Sequence, residues 1–156
     1  MTVTAAMEEL VASYPIPEPA PLSQGLVRCL DLPSDLAAEL SIAQVSELTG
    51  VSAHTLRYYE RIGLVEVSRN AAGHRVYDRD ALARVVFVSR LRSSDMPIRT
   101  ISRYVELVKQ GPVTEPQRLP LLQEHRTTIV GRLAEMQAAL AVIEYKITTY
   151  GGACGP

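Results

Sequence analysis

Cysteine is scarce in this chain: Cys29 and Cys154 are the two among 156 residues, and the three histidines, His54, His74 and His125, are scattered with no ligand spacing. Two thiols cannot build a disulfide framework, so a reduced cytosol is the default compartment. Nor does the sequence hold the clustered thiolates and imidazoles that a zinc, copper or iron–sulfur site demands; no metal or other cofactor is expected. Long hydrophobic runs are missing as well, and without a stretch of roughly 18 apolar residues a transmembrane helix is excluded. Met1 to Leu10 carries Glu8 and Glu9 and no basic residue, which does not read as a signal peptide. Catalytic signatures are lacking too. There is no Gly-x-Ser-x-Gly, no paired-carboxylate motif, and the glycine-rich end Gly151-Gly152-Ala153-Cys154-Gly155 has neither the Lys nor the following helix of a phosphate loop. The chain is not expected to be an enzyme. What it does have is 47% apolar residues, enough for a core and too many for wholesale disorder.

The net charge of −1 conceals an asymmetry. Residues 1–40 hold one basic side chain, Arg28, against six acids, whereas residues 41–110 hold eleven basic against seven acidic ones. Fourteen of the sixteen basic residues are arginine, and ten of those lie between Arg57 and Arg103. A guanidinium presents a planar fork that matches phosphate oxygens and guanine edges, so this segment hints at nucleic-acid contact. The alternative is a solvated helix face laced with ion pairs.

Residues 1–40 read as an acidic, proline-rich arm of weak order. Pro15, Pro17, Pro19 and Pro21 alternate with other residues, a pattern that favours a polyproline spacer and forbids helix. Leu26 to Leu40 is more apolar and could form a short helix. Regular structure is expected from Ser41, where Ser41 and Gln44 fit a capping box and Ile42, Val45 and Leu48 recur at helical spacing. Gly50 supplies the left-handed turn that ends this helix, and Ser52 can cap a second one running through Leu56 and Tyr59 to about Arg61. Two short helices around a Gly-containing turn form a helix-turn-helix pattern. Gly63 to Val67 is a short β-like run, Arg69 to His74 is turn-rich, and Arg75-Val76-Tyr77 is β-like again. Strand, turn and strand after a helix-turn-helix make a wing. Asp78 can cap a helix over Asp80 to Ser93, with Leu82, Val85, Val86 and Leu91 on one side. Pro97 suits the first turn of another, which carries Ile98, Ile101, Val105 and Val108 to Gly111-Pro112.

The last segment has the clearest periodicity. Ile129, Leu133, Met136, Leu140, Ile143, Ile147 and Tyr150 alternate spacings of four and three, a heptad seam. Leu122 and Leu119 extend it backward past one polar intruder, Arg126. A helix is expected over 117–150, and a span of roughly thirty residues is about 45 Å long at ~1.5 Å per residue. So long a rod needs a partner helix. No other segment is comparably long for an intramolecular hairpin, which points to self-association. Gly151-Gly152 ends the helix, leaving 151–156 as a tail.

The order of these parts is specific. Ser41-Ile42-Ala43-Gln44-Val45-Ser46-Glu47-Leu48-Thr49-Gly50-Val51-Ser52, followed by Thr55-Leu56-Arg57-Tyr58-Tyr59-Glu60-Arg61-Ile62-Gly63-Leu64, resembles the winged-helix signature of the MerR family of bacterial transcription regulators. So does the wing, Arg69 to Tyr77, and so does a helix pair followed by a long dimerisation helix. The resemblance covers residues 41 to about 150. It implies a mainly α fold: a winged helix-turn-helix DNA-binding domain with its helical pair over 41–111, and a long C-terminal helix over 117–150 forming an antiparallel coiled coil. It also implies a cytoplasmic, nucleoid-associated homodimer on double-stranded promoter DNA. Such a dimer bends and untwists an overlong pseudo-palindromic spacer to bring its elements into phase for RNA polymerase, a form of indirect readout.

Carried over residue by residue, the resemblance makes Ser52, His54, Arg57, Tyr58 and Tyr59 on the second helix candidate DNA contacts. Arg57 would reach phosphate or a base edge; its alternative is an ion pair with Glu60 or Glu47. His54 stands where a longer basic residue is usual, and its alternative is an exposed bystander. Tyr59 is as readily core as contact. In the wing, Arg69, His74, Arg75 and Tyr77 are candidates for the flanking backbone, Arg75 having wing stabilisation as its alternative. Arg92 matches a further phosphate-facing position. Leu122, Ile129, Leu133, Met136, Leu140, Ile143, Ile147 and Tyr150 would hold the dimer. Metal-sensing relatives carry cysteines at the start of and after the dimer helix; the start here has none and the loop after it has Cys154 alone. No small-molecule effector is indicated, and the dimer interface or the arm is left as the place for one. A competing reading from another class is a protein-interaction module, with the winged helix binding a protein and the long helix serving assembly.

Overall fold

A computed structural model describes residues 37–152. The expectations for the arm up to residue 36, and for Cys29 and Cys154, fall outside the described residues. The described residues divide between two units, one ending at Leu121 and one beginning at Leu122.

The first unit opens with a strand that the sequence pattern is too short to announce. β1 is Leu40–Ser41, and it is followed at once by helix α1, Ile42–Thr49. Ser41 serves both elements. Its hydroxyl accepts from the Gln44 amide at 3.3 Å, while its own amide donates to Gln44 Oε1 at 2.8 Å, the reciprocal capping box the sequence predicts. Gly50 adopts φ 70° and donates to the Ser46 carbonyl, turning the chain toward Ser52. The Ser52 hydroxyl accepts from the Thr55 amide at 3.1 Å and so caps helix α2, Ala53–Arg61.

The β-like run expected at Gly63–Val67 is not a strand. Gly63, at φ 76°, donates to the Glu60 carbonyl, and the Leu64 and Val65 amides both turn back to the Tyr59 carbonyl. These amides close the end of α2 and are unavailable to a sheet, while the Leu64 and Val65 side chains are buried. The strand begins later, as β2, Ser68–Arg69, and pairs with β3, Arg75–Tyr77. β3 is the central strand of an antiparallel sheet in the order β1-β3-β2, with Leu40 opposite Tyr77 and Arg69 opposite Arg75. Leu40, expected at the end of a short arm helix, is thus a buried strand residue.

Asp78 caps α3, Arg79–Ser93, through the Ala81 amide at 2.7 Å. Its inward face is Ala81, Leu82, Val85 and Val88, so Val88 takes the core place expected for Val86 and Leu91. The helix closes through Asp95 at φ 62°, with the Met96 amide bonded to the Leu91 carbonyl. Pro97 is the capping residue of α4, Ile98–Lys109, rather than a member of its first turn. Val45, Leu56, Val85, Val88, Met96, Ile101 and Val105 meet in the core of this unit, each contributing roughly 1.5–3 kcal/mol relative to exposure. A short 3-10 turn, Pro112–Thr114, precedes α5, Glu115–Thr149. Thr114, the buried polar residue of the described core, donates its hydroxyl to the Leu107 and Gly111 carbonyls.

The second unit holds the greater part of α5. The helix starts two residues before the expected 117, because Pro116 sits in a first turn that needs no amide donor. It ends one residue before Tyr150, where Gly151 takes φ 80° and the Gly152 amide reaches the Ile147 carbonyl.

Candidate nucleic-acid interface

The exposed side of α2 follows from its helical stripe. Leu56 and Tyr59 point into the core, which leaves His54 and Arg57 on the solvent side. Tyr58 is half-buried, and the Arg61 guanidinium lies over its ring at 5.4 Å from the centroid, a cation–π contact. Ser52 is exposed, but its hydroxyl is engaged with the Thr55 amide and hydroxyl.

The wing tip is built on Asn70, a residue whose part the sequence pattern does not reveal. Its Oδ1 accepts from the amides of Ala72 and His74, each at 3.0 Å, while its own backbone exchanges bonds with Gly73 and His74. Gly73 completes the turn at φ 80°. This leaves His74 exposed at the tip. On the strands below, Arg69 and Arg75 stand opposite each other and share the carboxylate of Glu60 on α2. Arg69 reaches Oε1 at 3.4 Å, and Arg75 bonds Oε2 through Nε. Arg69 also donates to the Gly73 carbonyl at 3.2 Å. The Glu60 carboxylate is therefore paired with the wing arginines, and the ion pair weighed for Arg57 is not formed. Arg57, Arg69, His74 and Arg75 line one open groove of about 550 Å³, together with Gln44 and the start of α1.

Residues 40–107 match the model of the MerR HTH family of regulatory proteins. Among relatives, the chain is 34% identical over 92 residues to the HTH-type transcriptional regulator AdhR of Bacillus subtilis, covering 58% of this chain and 66% of that protein. It is 30% identical over 109 residues to an HTH-type transcriptional regulator of Haemophilus influenzae, covering 69% and 81%. The chain belongs to the MerR family. Among solved MerR structures, it superposes with a TM-score of 0.68 at 29% identity on HiNmlR, a MerR family regulator lacking the sensor domain and bound to promoter DNA; 72% of this chain and 86% of that one are covered. A MerR family regulator from Bacillus thuringiensis matches with a TM-score of 0.64 at 26% identity, over 72% and 99% of the two chains.

Two of the expected contact residues of this MerR chain do not share the exposed surface. Tyr77 is fully buried, and its hydroxyl has no hydrogen-bond partner among the described residues. Its position opposite Leu40 turns the ring inward, and burial, followed by the nearby Glu60 charge, raises its pKa above the ordinary 10.0. Tyr59 is core as well, its pKa likewise raised by burial against the opposing effect of Arg92. Strand alternation would not have flagged Tyr77, since it shares a strand face with Arg75, and the central strand buries the adjacent Val76 and Tyr77 alike. Arg92 lies near the end of α3, exposed, with one terminal amino group on the Met96 carbonyl at 2.9 Å. Along α5, Leu133, Met136, Leu140, Ile143 and Ile147 are exposed, Tyr150 is exposed just beyond the helix, and Leu122 and Ile129 are half-buried. No group of His, Cys, Asp or Glu among the described residues could hold a metal ion, and no described helix is long and apolar enough to cross a membrane.

Proposed function

We propose that this MerR regulator binds a pseudo-palindromic promoter as a homodimer, in the cytoplasm and on the nucleoid, and controls RNA polymerase by deforming an overlong spacer. The winged helix-turn-helix region 41–111 reads DNA, and the helix over 117–150 pairs two copies. The observation that carries this reading is one solvent-facing surface holding Arg57 of α2 beside Arg69, His74 and Arg75 of the wing. A second supporting observation is the unpartnered apolar seam of α5.

In this reading α2 enters the major groove. Arg57 takes a phosphate or base edge there, with Ser52, His54 and Tyr58 on the adjacent backbone, while the wing and Arg92 hold flanking phosphates. Tyr59 and Tyr77 support these elements from the core. Bending and untwisting a spacer costs on the order of 1–6 kcal/mol. Charge-assisted contacts to phosphate offset that cost, so affinity falls steeply with salt. A dimer is needed because each winged helix spans only one half-site.

The test is enrichment of a duplex from a random pool by the purified protein, followed by gel-shift titration. Arg57→Ala is expected to abolish specific binding while leaving the dimer mass unchanged. A variant that binds the enriched duplex as tightly as the parent would remove Arg57 from the interface, and failure to enrich any duplex would remove the function.

A further inference from the structure

The Glu60 carboxylate is tied to two arginines, and those arginines come from both hairpin strands of the wing. Arg69 and Arg75 face each other across the β2–β3 ladder, and like charges directly opposite each other on a sheet repel. The carboxylate of Glu60 relieves that repulsion and fastens both strands to the last turn of α2. It is well placed for this: its side chain is 21% exposed, against 28% for Arg75 and 49% for Arg69. Arg75 bonds Glu60 through its Nε, and Arg69 also holds the wing tip through the Gly73 carbonyl. The two guanidiniums are thereby given fixed directions relative to the face that carries Arg57.

We propose that Glu60 is a specificity-determining positioning residue: it holds Arg69 and Arg75 in the one orientation suited to operator backbone and denies them free phosphate contact elsewhere. The inference rests on the DNA-reading function proposed above. Non-specific binding needs only mobile cations near phosphate, whereas specific binding needs the cations in register with a deformed duplex. A tethered arginine contributes little to the first and fully to the second. A glutamine at this position cannot replace the carboxylate, since its amide offers one acceptor, with an NH₂ group facing the second guanidinium. A loss of Glu60 therefore raises affinity for arbitrary DNA while lowering the preference for the operator. A residue of purely structural importance would lower both together.

The experiment uses the full chain in fluorescence anisotropy, with the duplex enriched by the parent and a scrambled duplex of equal composition, over a salt series. Glu60→Gln is expected to bind the scrambled duplex more tightly, with a salt slope steeper by up to ~0.9 per released arginine. The operator-to-scrambled ratio is expected to fall about tenfold, which is 1.4 kcal/mol. Glu47→Gln is the control for the lost charge itself, because Glu47 is exposed on α1 and has no ion pair among the described residues. It is expected to keep the ratio of the parent. Adding Arg69→Gln to Glu60→Gln should remove part of the gain on scrambled DNA. Should Glu60→Gln melt well below the parent, Glu60→Asp, which keeps the charge and shortens the reach, is measured in its place with the same expected direction. An unchanged ratio in a folded variant, or parallel loss on both duplexes, overturns the inference. If the parent enriches a duplex and Arg57→Ala loses it, that overturning concerns Glu60 alone; if the parent enriches nothing, the DNA reading falls and this inference falls with it.

Discussion

In the homodimer proposed above, substituting Leu140 by Asp should give monomers, and the size of the effect follows from the exposure of the α5 seam. Leu133, Met136, Leu140, Ile143 and Ile147 stand 46%, 70%, 52%, 56% and 39% exposed in the single chain. Full burial of such a side chain contributes ~1.5–3 kcal/mol, so about 1 kcal/mol remains to be gained at Leu140 when a second helix covers it. A two-fold dimer counts the site twice, and Leu140→Ala should weaken association by about 2 kcal/mol, roughly 30-fold. An aspartate adds the cost of desolvating a carboxylate without a partner in each copy. The sum reaches at least ~4 kcal/mol, near a thousandfold in Kd. Sedimentation equilibrium over a wide concentration range measures this directly. The control is Tyr145→Asp, since Tyr145 is 62% exposed and sits on the side of α5 opposite the seam; its dimer mass should equal the parent's. A Leu140→Asp protein that remains a dimer throughout, or a Tyr145→Asp protein that dissociates, would refute the heptad assignment.

Two other substitutions probe the fold beneath the interface. Gly63→Ala should destabilise by about 1 kcal/mol or more in a thermal melt, because φ 76° disfavours any side chain although a Cβ would meet nothing closer than Lys109 Nζ at 3.8 Å; an unchanged melt would show that the turn relaxes without strain. Tyr77→Phe should be neutral or stabilising by up to about 1 kcal/mol, since the lost hydroxyl is buried and unpartnered. Because burial raises the Tyr77 pKa above 10.0, the neutral phenol's contribution is complete below that value. It is lost as pH climbs from there through the raised value, where the unfolded chain ionises first. Melts across this alkaline window should therefore fall less for Tyr77→Phe than for the parent, and parallel curves would count against the assignment.

Local chemistry was readable from the residue order. The capping box at Ser41 and Gln44, the Gly50 turn, the Ser52 and Asp78 caps and the glycine end of α5 all depend on neighbours a few positions away, and they appear where the pattern places them. The α5 heptad spacing is likewise a property of one helix. What the linear pattern could not supply was anything decided by distant pairing. The two-residue strand β1 has no alternation to detect; it exists because Leu40 and Ser41 meet Tyr77 and Val76 across the sheet. That pairing sends Tyr77 into the core and removes it from the candidate surface. The run from Gly63 to Val67 has strand composition, yet its amides are claimed by the end of α2. Charge shows the same division. The sequence concentrates arginine between residues 57 and 103, but only the tertiary structure brings Glu60 between Arg69 and Arg75 and leaves Arg57 outside that cluster, because ion pairing depends on distances in space that no spacing along the chain encodes.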